Sequence, residues 1–354
     1  MTKRRVLLVE DSATVRGRLR EVLESDPEIE LVGEASDGRR AIELCQELRP
    51  DVVTMDMMLP VMSGLAATEY IMAHCPTPIL IVSASINRGA VFKTYEALAA
   101  GAVDVLEKPR GDEPDGSWER QFLQTLKLVS RIRVITHPRA RLRRPEAAPL
   151  PASSHPPAQR EVGLVAIGAS TGGPGAIVEV LRGLPADFRL PVLIVLHISE
   201  PFGAAFADWL DTQTARPVAY PKEGDLLSAA MGRVVMAPPG RHLLVQAGRF
   251  RLSSDPERHS CRPSVDVLFE SLAHECGAST AACLLTGMGR DGAAGLLALR
   301  RAGALTIAQD EASSIVYGMP REAVQLNAAQ RVLPLSEIAP TLLRLTTRRA
   351  GGAP

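Results

Sequence analysis

The chain has 354 residues, 46% hydrophobic and 23% charged, which is enough for two domains with apolar cores and excludes a disordered chain. Forty basic residues balance forty acidic ones, so no global field attracts nucleic acid or a membrane surface. The five cysteines form no Cys-x-x-Cys pair, no secretory leader is recognisable, and no apolar run could span a bilayer. We expect a reduced, cytoplasmic protein without membrane insertion.

Five short apolar runs alternate with helix-length segments in the first part of the chain. The runs are VLLV (6–9), LVGEA (31–35), VVTM (52–55), PILIVSA (78–84) and AVDVLEK (102–108). This alternation predicts a doubly wound parallel sheet for residues 1–136. In such a sheet, ligands bind beyond the carboxyl ends of the strands.

Polar side chains stand at four of these predicted strand ends: Glu10, Asp11, Asp56, Ser83 and Lys108. Clustered carboxylates repel one another unless a cation joins them, and Mg²⁺ prefers oxygen ligands, so the pattern predicts a magnesium site. One carboxylate could attack a phosphoryl group, whose charge Lys108 and Ser83 would meet. Singly, Asp11 and Ser83 could cap helices and Lys108 could face solvent, but their joint placement favours a site.

Residues 4 to about 130 resemble the receiver domain of two-component response regulators. The resemblance implies that Asp56, within TMDMMLPVMSG, is the phosphoacceptor and that Ser83 and Lys108 are the switch residues. It also implies a Mg²⁺ site formed by Glu10, Asp11, Asp56 and the Met58 carbonyl. Many receivers carry two aspartates at the acidic pair, where this chain has Glu10-Asp11 and keeps the charge.

Residues 137–160 are rich in proline, alanine and arginine and lack apolar periodicity, which indicates a linker. Its arginines are not interleaved with aromatic residues, so a solvated spacer is favoured over nucleic-acid contact. Strand–helix alternation then resumes, and it predicts a second doubly wound α/β domain over residues 161–348.

The second domain opens with GLVAIGASTGGPGAI (163–177), a predicted strand, sharp turn and helix. The dinucleotide fingerprint fails because Ser170 stands where its second glycine belongs, and the phosphate-binding loop fails because Pro174 replaces its lysine. The pattern that remains, Gly-x-Ser-x-Gly, presents Ser170 on a tight turn. From the motif alone, a glycine turn with a capping serine is an equally good interpretation.

A serine nucleophile needs a histidine base, which in turn needs an orienting group. His197 ends the apolar run LPVLIVLH at the edge that presents Ser170, which favours it as the base. His242 and His259 lie in turn-rich segments, and His274 lacks the second histidine of a zinc-protease motif.

The run AACLLTGMGRDGAAG (281–295) supplies the third group, since Asp291 follows a buried strand and a glycine-rich turn. Asp291 could instead cap the next helix. The backbone N–H groups of 287–289 could stabilise an oxyanion. The order serine, histidine, aspartate differs from that of the α/β-hydrolases, so membership of that fold is not implied.

GASTGGP, the strand-end His197, TGMGRDGA, CRPSVDVLF (261–269) and VYGMP (316–320) together resemble the catalytic domain of chemotaxis-type protein-glutamate methylesterases. That family has the same order of receiver, linker and esterase, and the resemblance covers nearly the whole chain. It implies Ser170 as nucleophile, His197 as base and Asp291 as its partner. It further implies that Thr171 and Met288 line the site, with backbone N–H groups there as oxyanion donors. The family commonly has Gln-His-Met-Pro around the base, whereas this chain has Leu-His-Ile-Ser (196–199).

The resemblance implies a phosphorylation-activated enzyme that hydrolyses glutamate methyl esters on chemoreceptor cytoplasmic helices, with glutamine deamidation as a candidate second activity. Its phosphodonor would be a chemotaxis-type histidine kinase, and the ester step would need no cofactor. A signalling adaptor with a degenerate esterase domain is the alternative. A DNA-binding regulator is disfavoured, because the second half has no helix-turn-helix pattern and the chain is charge-balanced.

Overall fold

The computed structural model describes residues 3–84, 88–109, 116–132, 134, 162–198 and 202–346. The predicted linker, residues 137–160, lies outside the described residues. None of the described helices combines the length and the apolarity needed to cross a membrane.

The first half forms a five-stranded parallel sheet in the order β2-β1-β3-β4-β5. Its strands are β1 Arg4–Val9, β2 Ile29–Ala35, β3 Val52–Met55, β4 Ile79–Ser83 and β5 Asp104–Glu107. Its helices are α1 Ala13–Glu24, α2 Gly38–Leu48, α3 Gly64–His74, α4 Arg88–Ala99 and α5 Ser117–Val129. Apolar residues of α1 and α5 cover one face of the sheet, and those of α2, α3 and α4 cover the other. The predicted doubly wound architecture is confirmed.

Capping side chains fix where the helices of this half begin. Ser12, Asp37 and Ser63 each accept a hydrogen bond from a backbone N–H in the first turn of α1, α2 and α3, respectively. Ser12 rather than Asp11 caps α1, so the carboxylate of Asp11 is not used as a cap.

The second half contains a seven-stranded parallel sheet in the order β14-β13-β12-β6-β7-β9-β8, which confirms a second doubly wound domain. Its strands are β6 Leu164–Ala169, β7 Val192–Leu196, β8 Val218–Ala219, β9 Val234–Met236, β12 Thr280–Leu284, β13 Leu305–Gln309 and β14 Arg331–Leu333. Its helices are α6 Gly173–Arg182, α7 Phe206–Gln213, α8 Val265–Glu275, α9 Ala293–Arg301, α10 Met319–Gln325 and α11 Leu335–Thr346.

A separate antiparallel hairpin, β10 His242–Gln246 and β11 Arg249–Ser253, interrupts this pattern. The sequence analysis did not predict it and assigned His242 to a turn-rich segment. His242 is instead buried on β10, because the Pro and Gly residues around it belong to the connections and not to the strand.

The direction of strand addition reverses around β6, which lies between β12 and β7. After β6, the chain adds β7 and β9 on one side of it, and it later adds β12 and β13 on the other side. Such a reversal leaves a crevice beyond the carboxyl ends of the central strands, where ligands bind in open parallel sheets. The segments after β6, β7 and β12 therefore form the candidate site.

The two halves pack against each other through α4, which contacts α6 and α7. Tyr95 of α4 is fully buried, with its ring centroid 5.1 Å from that of Phe206 and 5.3 Å from that of Trp209. The Tyr95 hydroxyl donates a hydrogen bond to the backbone carbonyl of Phe202. This contact joins the first half to the segment that follows β7.

Replacing Gly168 of β6 by alanine is expected to destabilise the second half. The new Cβ would lie 2.3 Å from Val265 Cγ1, so strand and helix would have to move apart. We expect a loss of about 1–3 kcal/mol in the free energy of unfolding, measured by denaturant titration. Gly163→Ala is the matched control, since its Cβ would have no neighbour closer than 3.7 Å. Equal stability of the two variants would contradict the packing described for Gly168.

Candidate active site

Ser170 stands directly after β6, on the turn that leads into α6. The turn is closed by a 2.7 Å hydrogen bond from Gly173 N to the Ser170 carbonyl. Gly172 has φ 74°, a left-handed conformation that a side chain would disfavour, and Pro174 occupies the first turn of α6. The glycine-rich sequence thus folds as a tight turn that leaves Ser170 partly exposed at the sheet edge.

His197 follows β7 and is adjacent to this turn, because its backbone N–H donates to the carbonyl of Ala169 at 3.0 Å. Its Nε2 lies 2.9 Å from Oδ2 of Asp291. The structure therefore brings together the predicted histidine and aspartate, which are 94 positions apart in the chain.

Asp291 is buried and is held by the first turn of α8. Its Oδ1 accepts hydrogen bonds from Ser264 Oγ (2.7 Å) and Asp266 N (3.1 Å), and its Oδ2 accepts one from Val265 N (2.7 Å). The alternative that Asp291 caps α9 is wrong: the N-cap of α9 is Gly292, and no side chain bonds to it. The anion instead lies where the α8 dipole favours it.

The pKa values of the pair follow from this arrangement. Burial alone would raise the pKa of Asp291, but the hydrogen bonds from His197, Ser264 and Val265 lower it below its usual range. Burial alone would lower the pKa of His197, but the hydrogen bond to Asp291 and the contact with Cys261 raise it above its usual value. The pair therefore favours a carboxylate that stabilises a protonated imidazole.

Ser170 and His197 lie at neighbouring strand ends, but no hydrogen bond between their side chains occurs among the described residues. The Nδ1 of His197 faces Sγ of Cys261 at 3.6 Å. Since Asp291 holds Nε2, Nδ1 is the nitrogen left for a serine proton. Catalytic hydrogen bonds are often long before substrate binds, so this geometry is compatible with a serine–histidine pair.

Two backbone N–H groups near Ser170, those of Thr171 and Met288, donate to none of the described residues. The predicted contribution of Gly287 is wrong, because its N–H donates to the Val316 carbonyl at 3.0 Å. Thr171 and Met288 line the same cavity, as does Gly289, whose N–H likewise donates to no described residue, so all three N–H groups are available as oxyanion donors.

In the first half, two of the predicted carboxylates contact the ammonium group of Lys108. Lys108 Nζ lies 2.8 Å from Glu10 Oε2 and 2.9 Å from Asp56 Oδ2. Burial alone would lower the pKa of Lys108, but the hydrogen bonds to these two carboxylates raise it. Burial raises the pKa of Glu10 despite the opposing effect of Lys108.

Carboxylate oxygens of Glu10, Asp11 and Asp56 lie within 4.8 Å of one another, an all-oxygen set that fits Mg²⁺. The carbonyl of Met58, two residues after Asp56, accepts no hydrogen bond from a described residue. Ser83 is fully buried and its Oγ has no hydrogen-bond partner among the described residues. Ser83 is joined to Lys108 through the hydrogen bond from Lys108 N to its carbonyl, so this unpartnered hydroxyl is a candidate donor to a ligand at the site.

Comparison with known proteins assigns both halves. The family model for CheB methylesterase matches residues 165–342, and that for the response regulator receiver domain matches residues 6–114. The chain is 44% identical over 342 residues to protein-glutamate methylesterase/protein-glutamine glutaminase 2 of Anaeromyxobacter dehalogenans (strain 2CP-C), covering 97% of each chain. The chain belongs to the CheB methylesterase family.

Further relatives of this CheB-family chain agree. A protein of the same name from Pseudomonas aeruginosa is 44% identical over 352 residues and 98% of each chain is covered. The crystal structure of the Thermotoga maritima CheB methylesterase catalytic domain is matched over its full length and over 52% of this chain, with 32% identity and a TM-score of 0.50.

A cavity of about 1220 Å³ lies where the two halves of this CheB-family chain meet. Asp104, Leu128 and Arg131 of the receiver half line it, and so do Thr171, Cys261, Met288, Asp291 and Tyr317 of the esterase half. The receiver thus forms one wall of the cavity that Thr171, Met288 and Asp291 of the candidate site also line.

Residues that the sequence analysis did not single out hold this site together. Thr286 Oγ1 donates to the Thr171 carbonyl and accepts from Val316 N, and its own carbonyl accepts from Ser170 N at 3.0 Å. Ser264 carries the hydroxyl that fixes Asp291. The quoted motif CRPSVDVLF contained Ser264, but no local signal indicated its contact with a residue 27 positions away.

Replacing Asp291 by asparagine is expected to lower the pKa of His197. The neutral amide no longer stabilises the imidazolium, so we expect the pKa of His197 to fall by about 1–3 units. The measurement is an NMR titration of the His197 ring, with the exposed His274 as internal reference. An unchanged His197 titration would show that Asp291 does not control that ring.

Proposed function

We propose that this protein is a phosphorylation-activated hydrolase that removes methyl esters from glutamate side chains on the cytoplasmic helices of chemoreceptors, and that it works in the cytoplasm. We assign the receiver to residues 1–136 and the esterase to residues 161–348. The observation that carries the proposal is the buried Asp291–His197 pair, which lies beside the Ser170 turn in the crevice of the second sheet.

Ser170 is the nucleophile in this proposal, and His197 is its base. Nδ1 of His197 takes the serine proton as Oγ attacks the ester carbonyl, and Asp291 stabilises the imidazolium that forms. His197 then gives the proton to the departing methoxide, so methanol leaves and an acyl-serine remains. Water, deprotonated by the same nitrogen, releases the glutamate and restores Ser170. Apart from this water, the ester step uses only side chains and backbone groups of this chain.

The N–H groups of Thr171 and Met288 stabilise the oxyanion that develops on the carbonyl. Their lack of any other described acceptor supports this role, because preorganised donors need no rearrangement in the transition state. The names of the relatives include protein-glutamine glutaminase. We extend the proposal to that activity, since the same acyl-serine forms from a glutamine amide when His197 protonates the departing amide nitrogen and ammonia leaves.

Asp56 is the phosphoacceptor in the receiver half, and a chemotaxis-type histidine kinase is its phosphodonor. Glu10, Asp11, Asp56 and the Met58 carbonyl would hold Mg²⁺, which neutralises the negative charge of the phosphoryl group. Lys108 pairs with that charge as well, and the unpartnered Ser83 hydroxyl donates to a phosphoryl oxygen. The unpartnered hydroxyl of Ser83 and the carboxylate cluster of Glu10, Asp11 and Asp56 support these assignments.

Phosphorylation opens the cavity in front of Ser170 in this proposal. The receiver wall formed by Asp104, Leu128 and Arg131 restricts access for a receptor helix. Each tenfold of activation needs only about 1.4 kcal/mol of differential stabilisation, within the range of one phosphoryl group and its new hydrogen bonds. A role as an adaptor without turnover is not favoured, since the histidine–aspartate pair and both oxyanion donors are present.

Ser170→Ala is expected to lower the rate of methanol release from methylated receptor fragments by about 10³- to 10⁶-fold, because the acyl-enzyme can no longer form. Ser271→Ala is the matched control, since Ser271 is in the same domain and, among the described residues, bonds only to backbone groups of Leu268 and Val245. A Ser170→Ala rate equal to that of the control would exclude Ser170 as the nucleophile.

Asp56→Asn is expected to abolish the increase in ester hydrolysis that a small phosphodonor and Mg²⁺ produce in the wild type, while the basal rate remains. The asparagine amide cannot form an acyl phosphate, and intact-mass spectrometry reports the missing phosphoryl group directly. A variant that is activated to the wild-type level despite lacking the phosphoryl mass would show that activation does not depend on phosphorylation of Asp56.

A further inference from the structure

The thiol of Cys261 lies against the ring nitrogen of His197 that Asp291 leaves unbonded. Sγ of Cys261 and Nδ1 of His197 are 3.6 Å apart. The ligand atoms of His197, Cys261 and Asp291 all lie within 4.8 Å of one another. The mechanism uses Nδ1 but assigns nothing to the thiol.

We propose that Cys261 and His197 form a binding site for a soft divalent cation, Zn²⁺ in the first place, which reversibly inhibits the enzyme. In tetrahedral zinc sites the Zn–S and Zn–N distances of about 2.3 and 2.0 Å place the two ligand atoms about 3.5 Å apart. The observed separation of 3.6 Å matches the spacing that a shared zinc ion requires of these two atoms.

Asp291 does not bind the ion in this proposal but orients the His197 ring that does. Nε2–H of His197 donates to its Oδ2 at 2.9 Å, which fixes the tautomer that leaves a lone pair on Nδ1. Histidines that bind zinc commonly donate their other N–H to a carboxylate in this way. The partner that orients the base for catalysis thus also orients it as a metal ligand.

The thiol reaches this position from a constrained turn. His259 and Ser260 both have left-handed backbone conformations, with φ 54° and 59°, and the next residue is Cys261. Sγ lies 3.4 Å from the His259 carbonyl, which can accept the thiol proton while the metal is absent. Cys261 and Asp291 also line the cavity, so water can enter from that side to fill the remaining coordination positions.

The neighbouring group of His259, Asp266 and Asp291 is less suited to bind a metal. Nδ1 of His259 accepts a hydrogen bond from Arg290 Nε at 3.2 Å, and its Nε2 lies 3.2 Å from Asp266 Oδ2. Both nitrogens are therefore engaged. The ligand type also differs, since thiolate with imidazole selects zinc over the hard Mg²⁺ that suits the receiver.

Zinc binding forms one Zn–S and one Zn–N bond, and it releases to solvent the thiol proton of Cys261 together with the Nδ1 proton of any protonated His197, with no change in oxidation state. The lone pair of Nδ1 is then unavailable for the serine proton, so ester hydrolysis stops. The inhibition rests on the proposed function, whereas the binding of the metal does not.

The test measures both quantities on the tag-free full-length protein. Ester hydrolysis is titrated with Zn²⁺ in the wild type and in Cys261→Ser, Cys261→Ala and Cys276→Ser, each relative to its own metal-free rate. Cys276 is the matched control, a partly buried cysteine at the end of α8. We expect wild type and Cys276→Ser to be inhibited and to recover with a chelator. Both Cys261 variants should need at least tenfold more zinc, about 1.4 kcal/mol of lost binding.

Binding of Co²⁺ in place of Zn²⁺ gives a readout that does not depend on activity. A thiolate-to-cobalt charge-transfer band should appear in the wild type and in Cys276→Ser and be absent from both Cys261 variants, while Mg²⁺ should not compete. Equal zinc sensitivity of the Cys261 variants, or no band in the wild type, would overturn the site. A Cys261-dependent band in a protein without esterase activity would retain the metal site and refute the proposed function.

Discussion

The buried carboxylate of Asp291 is the group on which the geometry of the esterase site depends. Each of its oxygens accepts two hydrogen bonds, from His197 and Val265 on one side and from Ser264 and Asp266 on the other. A carboxylate held this firmly at a helix N-terminus stays ionised despite its burial. It therefore fixes the orientation of the His197 ring and leaves Nδ1 as the nitrogen that is not bonded to a carboxylate.

Elements far from Ser170 support this carboxylate. His242 on the hairpin strand β10 accepts a hydrogen bond from Ser264 N through Nδ1, and Ser264 in turn donates through Oγ to Asp291. Asp266 accepts a hydrogen bond from Gly295 N of α9, which ties α8 to the helix that follows Asp291. The hairpin that interrupts the parallel fold thus has a structural reason, since it holds the start of α8 against the active site.

The fold and much of the candidate site could be predicted because both depend on local patterns. Apolar runs predicted the strands, and the carboxyl ends of parallel strands converge, so Glu10, Asp56 and Lys108 could be expected to meet. The supports of the site could not be predicted in this way. Ser264 lies 27 positions from Asp291, and Cys261 lies 64 positions from His197, and no periodicity encodes such contacts. The hairpin was missed because its strands are flanked by proline and glycine, which are typical of turns.

Both halves bury carboxylates whose negative charge must be compensated, and they do so with different groups. The cations that each cluster favours differ accordingly. In the receiver, Lys108 compensates two buried carboxylates, and the remaining ligand atoms are oxygens, which suit a hard cation. In the esterase, backbone N–H groups and an imidazole compensate one carboxylate, and the nearby thiol adds a soft ligand. Because hard and soft cations favour opposite sites, we expect Mg²⁺ at the receiver carboxylates not to compete for His197. The two clusters therefore differ in ligand chemistry, and a cation suited to one is poorly suited to the other.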